Sequence, residues 1–230
     1  MATAQATAAP TRTHLTLSGS TAIVSEFFEY SLQSILYQRG VYPPEDFKTV
    51  RKYGLQMLVS LDDAMTEYVE RAKKQLEEWL LKGAISRVVV AIIDTENGET
   101  VERWQFDVNV MNKSHEANGK ENEAPVQASS GKAGAKGAKG PKTDDQVKAE
   151  IAAIIKQITA SCTFLPMLED QCSFTLLAYT NASEPIPIEW AESDARLIAE
   201  GQAEQVRLRS FSTAIHQVDS VVAYRRGEED

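Results

Sequence analysis

From Ile23 to Leu36, apolar residues recur at intervals of three and four (Ile23, Val24, Phe27, Phe28, Leu32, Ile35, Leu36), the spacing of one face of an α-helix. Gly40 and the breakers Pro43 and Pro44 close that helix. Tyr53 to Ser60 has strand chemistry, and Asp62 or Asp63 can cap a second helix that carries Met65, Val69, Ala72, Leu76, Trp79 and Leu80 on one face and stops at Gly83. Arg87 to Asp94 is a run of Val and Ile expected to form a strand buried on both faces. The turn Thr95-Glu-Asn-Gly98 leads into a second strand, in which Thr100, Glu102, Trp104, Phe106 and Val108 alternate with Val101, Arg103, Gln105 and Asp107, so the two form a hairpin. Further on, Thr143-Asp-Asp-Gln146 has the spacing of a capping box. It opens a third helix with the stripe Val147, Ile151, Ile154, Ile155, Ile158 and Cys162, stopped near Leu165-Pro166. Cys172, Phe174, Leu176 and Ala178 then alternate with Ser173, Thr175, Leu177 and Tyr179 in a strand. The last 50 residues hold short strand candidates at Val206 to Ser212 and Ala214 to Tyr224, but their apolar face is ambiguous. A strand with weakly specified register can pair in more than one place.

Between the hairpin and the third helix, residues 111–142 contain only Met111 and Val126 as large apolar side chains. Such a segment cannot offset its ordering entropy by burial and is expected to be a long disordered loop. It holds six Lys against three Glu, leaving 18 positive and 30 negative charges for the rest of the 230-residue chain. The strongly acidic remainder excludes phosphate binding as the chief role, so no direct nucleic-acid partner is expected; the basic loop reads as a solvated segment, with a tether for a nucleic acid or an acidic partner as the alternative. The longest apolar run, Val88 to Ile93, falls far short of the roughly 20 residues that cross a bilayer, and no membrane insertion is expected. Met1 to Pro10 lacks the basic and apolar regions of a secretory signal. Cys162 and Cys172 fit a reducing cytosol or nucleus and have no metal-cluster or disulfide-framework spacing.

Catalytic chemistry finds little to build on. His14 and His115 lie in the tail and the loop, which leaves His216 for any nucleophile and base pair, and its strand context suggests packing or hydrogen bonding instead. Asp62-Asp63 and Asp144-Asp145 lie at helix starts, where carboxylates complement the dipole, and Glu77-Glu78 belongs on an exposed face. The glycines from Gly131 to Gly140 match no phosphate or dinucleotide loop, so no cofactor and no metal are expected. Trp79 and Trp104 fall on apolar faces as core residues, whereas Trp190 stands apart among Pro and Glu.

Several runs, in order, resemble one family: Glu26-Phe-Phe28, Ser34-Ile-Leu-Tyr-Gln-Arg-Gly-Val-Tyr-Pro43, Lys52-Tyr-Gly-Leu55, Glu102-Arg-Trp-Gln-Phe-Asp107, Gln157-Ile-Thr-Ala160, Thr163-Phe-Leu-Pro166, Cys172-Ser-Phe174, Val206-Arg-Leu-Arg-Ser-Phe211 and Val222-Ala-Tyr224. They are similar to the HORMA domain of the spindle assembly checkpoint family called mitotic arrest deficient protein two. The resemblance implies an α+β fold: a mainly antiparallel sheet packed on three helices, with a mobile C-terminal safety belt. It divides the chain into a flexible tail at 1–14 and one HORMA domain at 15–224, with the loop at 111–142 as an insert and belt plus tail at 181–230.

The same resemblance implies a non-enzymatic adaptor with two conformers. In the open one the belt pairs along Gln171 to Thr180; in the closed one it moves to the opposite side of the sheet and a client peptide takes the vacated edge. The segment around Leu15 to Ser18 is expected to rearrange with it. The peptide edge would be Cys172, Ser173, Phe174, Thr175, Leu176, Leu177, Ala178 and Tyr179; belt residues would include Trp190, Val206, Leu208, Phe211, His216 and Tyr224. The implied clients are a checkpoint scaffold at kinetochores and the activator of the anaphase-promoting complex, whose capture delays anaphase. A closed copy would pair with an open one through Lys156, Gln157, Phe164 and Arg209. The family often has arginine at the position of Lys156, and lysine keeps the charge but loses the forked geometry. An AAA+ remodelling ATPase with its adaptor is a further implied partner, and the implied location is nucleus, kinetochore and cytoplasm. A HORMA adaptor for a translesion polymerase or the meiotic axis is the alternative, and a hydrolase built on His216 is a third.

Overall fold

The computed structural model describes residues 16–111, 142–168, 171–181 and 184–226. The N-terminal tail, nearly all of the basic loop and the last four residues lie outside them. Helix α1 (Leu17–Gln38) starts at Thr16, whose side chain accepts a hydrogen bond from Gly19 N at 3.1 Å. It is buried on most of its surface because small Ser20, Ser25 and Ser31 alternate with Val24, Phe27, Phe28, Leu32, Ile35 and Leu36. It packs between α2 (Asp63–Lys82) and α3 (Asp144–Ala160). Asp62 caps α2 by accepting from Met65 N at 2.6 Å, and Gly83 ends it in the left-handed conformation, φ 63°, that a side chain would strain. Thr143 and Gln146 form the expected capping box of α3.

The main sheet has the order β5-β3-β4-β8-β6, formed by β3 (Ile85–Asp94), β4 (Thr100–Val110), β5 (Cys172–Thr180), β6 (Ala203–Arg207) and β8 (His216–Arg225), with β7 (Phe211–Ser212) also on β8. All pairs are antiparallel. One row across it, Leu176, Val90, Trp104, Val222 and Val206, lies on the helix side, and the next, Thr175, Ala91, Arg103, Ala223 and Gln205, lies on the outer side. Phe27 of α1 meets Phe28, Phe106 and Phe211 with ring centroids 4.8 to 5.7 Å apart, so α1, β4 and β7 share one aromatic core. Arg39, just past α1, is buried against Glu102 of β4 (Nη2 to Oε1, 2.5 Å); it also donates to the Pro166 carbonyl, while Trp104 Nε1 donates to the other Glu102 oxygen at 3.1 Å.

Four expectations need correction. Tyr53 to Ser60 is not one strand: a separate hairpin pairs β1 (Phe47–Lys52) with β2 (Leu55–Ser60), and Tyr53 and Gly54 form its turn with φ of 52° and 71°. Tyrosine is a poor signal for a left-handed turn position, and here its hydroxyl holds the conformation by donating to Glu26 Oε1 at 2.5 Å. Cys162 does not belong to the α3 stripe, because the helix gives way to a 3₁₀ turn (Ser161–Thr163) that leaves the thiol exposed. Val206 to Ser212 is broken into β6 and β7, and the final strand begins at His216. Glu77 is half-buried and accepts from Ser25 Oγ at 2.7 Å, so it ties α2 to α1 and is no solvated charge.

Candidate functional site

Strand β5 is the end strand of the sheet. It pairs with β3 from Cys172 opposite Asp94 to Thr180 opposite Ile85, and among the described residues nothing pairs with its other edge. Such an edge can offer backbone N–H and C=O groups to an extended segment of compatible shape, and here the Tyr68 hydroxyl of α2 already meets the Leu176 main chain. Its helix-side residues Phe174, Leu176 and Ala178 continue the core outward, with the Phe174 ring edge-on to Tyr42 and Tyr68 at 6.2 and 5.7 Å. Ser173, Thr175, Leu177 and Tyr179 share the outer face. There the Tyr179 hydroxyl accepts from Arg103 Nη2 at 3.0 Å, and the Arg87 guanidinium lies over the Tyr179 ring, 5.4 Å from its centre.

The segment after β5 skirts this edge. Asn181 N donates to the Ala84 carbonyl at 2.8 Å, Glu184 pairs with Lys82 at 3.2 Å, and Trp190 packs edge-on against Trp79 of α2 with centroids 5.0 Å apart. The chain then reaches the other end of β5's neighbours: Arg103 Nε donates to the Ala195 carbonyl at 3.3 Å and Arg196 Nη1 to the Gly98 carbonyl at 3.4 Å. Through Glu184 and Trp190 this segment touches α2, and through Arg196 it touches the β3–β4 turn.

Beyond that crossing, β8 pairs with β4 and carries β6 on its far side, opposite the free edge. Val206 aligns with Val222, Leu208 N donates to the Ser220 carbonyl at 2.9 Å, and Tyr224 donates to Glu204 at 2.7 Å. Phe211 and His216 are fully buried anchors of this hairpin. The His216 Nδ1 lies 2.6 Å from Ser20 Oγ, which lies 2.6 Å from Thr213 Oγ1. Burial lowers the His216 pKa, with the Leu80 main chain acting in the other direction. Because Ser20 and His216 are both sealed in the core, their contact reads as packing between α1 and the hairpin. Among the described residues, no three His, Cys, Asp or Glu side chains converge as a metal site.

Of the residues expected at a pairing surface, two meet: the Gln157 side-chain oxygen accepts from Arg209 N at 2.6 Å. Lys156 and Phe164 stand exposed apart from that contact. Sequence reading missed the outer-face network of Arg87, Arg103, Gln105 and Asp107, although the alternation of the last three along β4 is its signature. It also missed the pairing of Trp190 with Trp79, which local composition could not reveal.

The HORMA domain family matches residues 20–216. The mitotic spindle checkpoint component mad2 of Schizosaccharomyces pombe is 43% identical over 219 residues, spanning 94% of this chain and 97% of the relative. The mitotic spindle assembly checkpoint protein MAD2A of Dictyostelium discoideum is 45% identical over 218 residues, spanning 95% and 97%. Among solved structures, a chain in a crystal structure of the mitotic checkpoint complex superposes with a TM-score of 0.74 at 43% identity, covering 90% of this chain and 99% of that one.

Proposed function

This chain belongs to the HORMA domain family, and from that premise we propose that it captures a short extended client peptide along β5, under the segment that follows it. It is a spindle checkpoint component, as the identity of its relatives over more than nine-tenths of its length requires. The observation that carries the capture mechanism is the edge of β5 that no described strand covers, beside a crossing segment anchored at both ends. A client entering there would add a strand, with main-chain hydrogen bonds giving affinity and alternate side chains reading Phe174, Tyr42 and Tyr68 on one face and Tyr179 on the other. Enclosure by residues 184–196 would make release slow, because the segment must detach first.

Pairing of β8 with β4, away from β5, corresponds to the closed conformer; the open conformer would place the same hairpin on β5. In this reading the safety belt comprises Trp190, Val206, Leu208, Phe211, His216 and Tyr224, and the clients are a kinetochore checkpoint scaffold and the activator of the anaphase-promoting complex. Lys156, Gln157, Phe164 and Arg209 would pair a closed copy with an open one, and an AAA+ ATPase with its adaptor would reset the switch. The protein would act without catalysis, in the nucleus, at kinetochores and in the cytoplasm. Roles in translesion synthesis or the meiotic axis are disfavoured by identities above 40% to checkpoint components.

The test is calorimetric titration of synthetic client peptides into the full chain and into a chain ending at Ser220. Binding is expected only with the full chain. Full-affinity binding by the shortened one would overturn the enclosure mechanism.

A further inference from the structure

Three contacts join α3 to the start of the C-terminal hairpin, outside the client edge. Lys142 Nζ lies 2.6 Å from Glu150 Oε2 and 2.7 Å from Ser212 Oγ; Ser212 N donates to the same Glu150 oxygen at 3.2 Å; and two turns along the helix Gln157 accepts from Arg209 N at 2.6 Å. Lys142 directly precedes the helix cap Thr143, at the positive end of the α3 dipole, where a cation is disfavoured. Its placement is therefore set by Glu150 and Ser212, whose oxygens offset that repulsion. Glu150 and Gln157 lie on the side of α3 that meets residues 209–212 and hold two backbone N–H groups of that segment by side-chain acceptors. Arg209 lies in the irregular stretch between β6 and β7, and Ser212 ends the two-residue strand β7, so both N–H groups take their acceptors from α3 side chains.

We propose that Lys142, Glu150 and Ser212 form a clasp that seats residues 209–212 on α3, and so assembles the composite surface that a second copy reads. The inference rests on the pairing role proposed above for Gln157, Phe164 and Arg209. It adds Glu150 as a positioning residue: it fixes the far end of the 209–212 segment at Ser212 N, while Gln157 fixes the near end at Arg209 N. A copy whose hairpin lies along β5 has no segment for the clasp to hold, so the clasp makes the pairing surface specific to this arrangement. The client edge is formed by other residues, and capture should be indifferent to the clasp.

The experiment loads the full chain with a synthetic client peptide and measures its pairing with a second, unloaded copy by analytical ultracentrifugation, alongside peptide affinity by fluorescence anisotropy. Glu150→Ala is expected to weaken pairing about fivefold to tenfold, the loss of a partly exposed ion pair and a hydrogen bond, with peptide affinity within twofold of the unaltered chain. Lys142→Met should weaken pairing less, because Ser212 N keeps its acceptor, and the exchanged pair Lys142→Glu with Glu150→Lys should restore only part of it. Unaltered pairing in Glu150→Ala, or equal loss of pairing and peptide binding, overturns the clasp. Absence of pairing in the unaltered loaded chain instead overturns the underlying pairing role. Circular dichroism separates these outcomes from misfolding, and Ser212→Ala, which removes only the hydroxyl, gives an independent test that should weaken pairing about twofold.

Discussion

His216 is the point at which one side chain senses where the hairpin lies. Its imidazole meets Ser20 of α1, whose hydroxyl also meets Thr213 of the hairpin, in a site with no exposure, and burial lowers its pKa. The unfolded chain then binds a proton more readily than the folded one. The sign follows: this stability is present above the ordinary imidazole pKa of about 6.5 and is lost as pH falls through the lower folded value. Groups on the packed elements that carry charge are engaged elsewhere, Glu77 of α2 with Ser25 and Glu150 of α3 with Lys142. Thermal unfolding at pH 7.5 and 5.5 should show a smaller acid-induced drop in Tm for His216→Gln than for the unaltered chain; equal drops would contradict the role. The Trp190 ring makes a second residue-scale prediction. Trp190→Ala strips the crossing segment of its contact with Trp79, and a bound fluorescent client should leave about tenfold faster in a competition chase, since an aromatic pair contributes about 1 kcal/mol beyond its buried area.

At the scale of elements, α1 is fastened to β4 by a buried ion pair as well as by its aromatic face. Removing one partner leaves the other charged in the core, so Glu102→Ala should cost about 3–5 kcal/mol in urea unfolding. The double replacement Arg39→Met with Glu102→Leu should recover most of that loss, because burial alone already disfavours the charged carboxylate and raises the Glu102 pKa against the pull of Arg39. The three helices and β3 to β5 were legible in the sequence for definite reasons. Gly83, Asp62 and the Thr143–Gln146 box carry the stop and start signals that the backbone uses, and the Val and Ile run of β3 is long enough to be unambiguous. The β1–β2 hairpin was not, because its turn relies on a tyrosine held by Glu26 from another element, and strand β1 shows no alternation of apolar residues. Cys162 looked like a continuation of the α3 stripe because periodicity does not register the change to a 3₁₀ turn.

For the whole molecule, the sheet has two ends, and the C-terminal hairpin occupies one while no described strand covers the other. Ending the chain at Ser220 removes half of β8, including fully buried Val222, and with it the partner of β6. Such a chain should keep its helices by circular dichroism, lose client capture, and unfold at lower urea than the full chain by about 2 kcal/mol or more, in line with the burial lost at Val222 and its neighbours. Purified full-length protein should separate by ion exchange into two slowly interconverting species, with client peptide shifting the population toward one, as differential affinity demands. The amino-acid sequence determined the helices, the central hairpin, the alternation of β5 and the family resemblance, because each is written in local spacing or in short contiguous runs. Only the tertiary structure decided which edge the last hairpin takes, that Trp190 meets Trp79, and that Gln157 and Glu150 hold the backbone of residues 209–212. Those contacts join positions 50 to more than 100 residues apart, and the hairpin's own residues fit either edge too evenly for local pattern to choose between them.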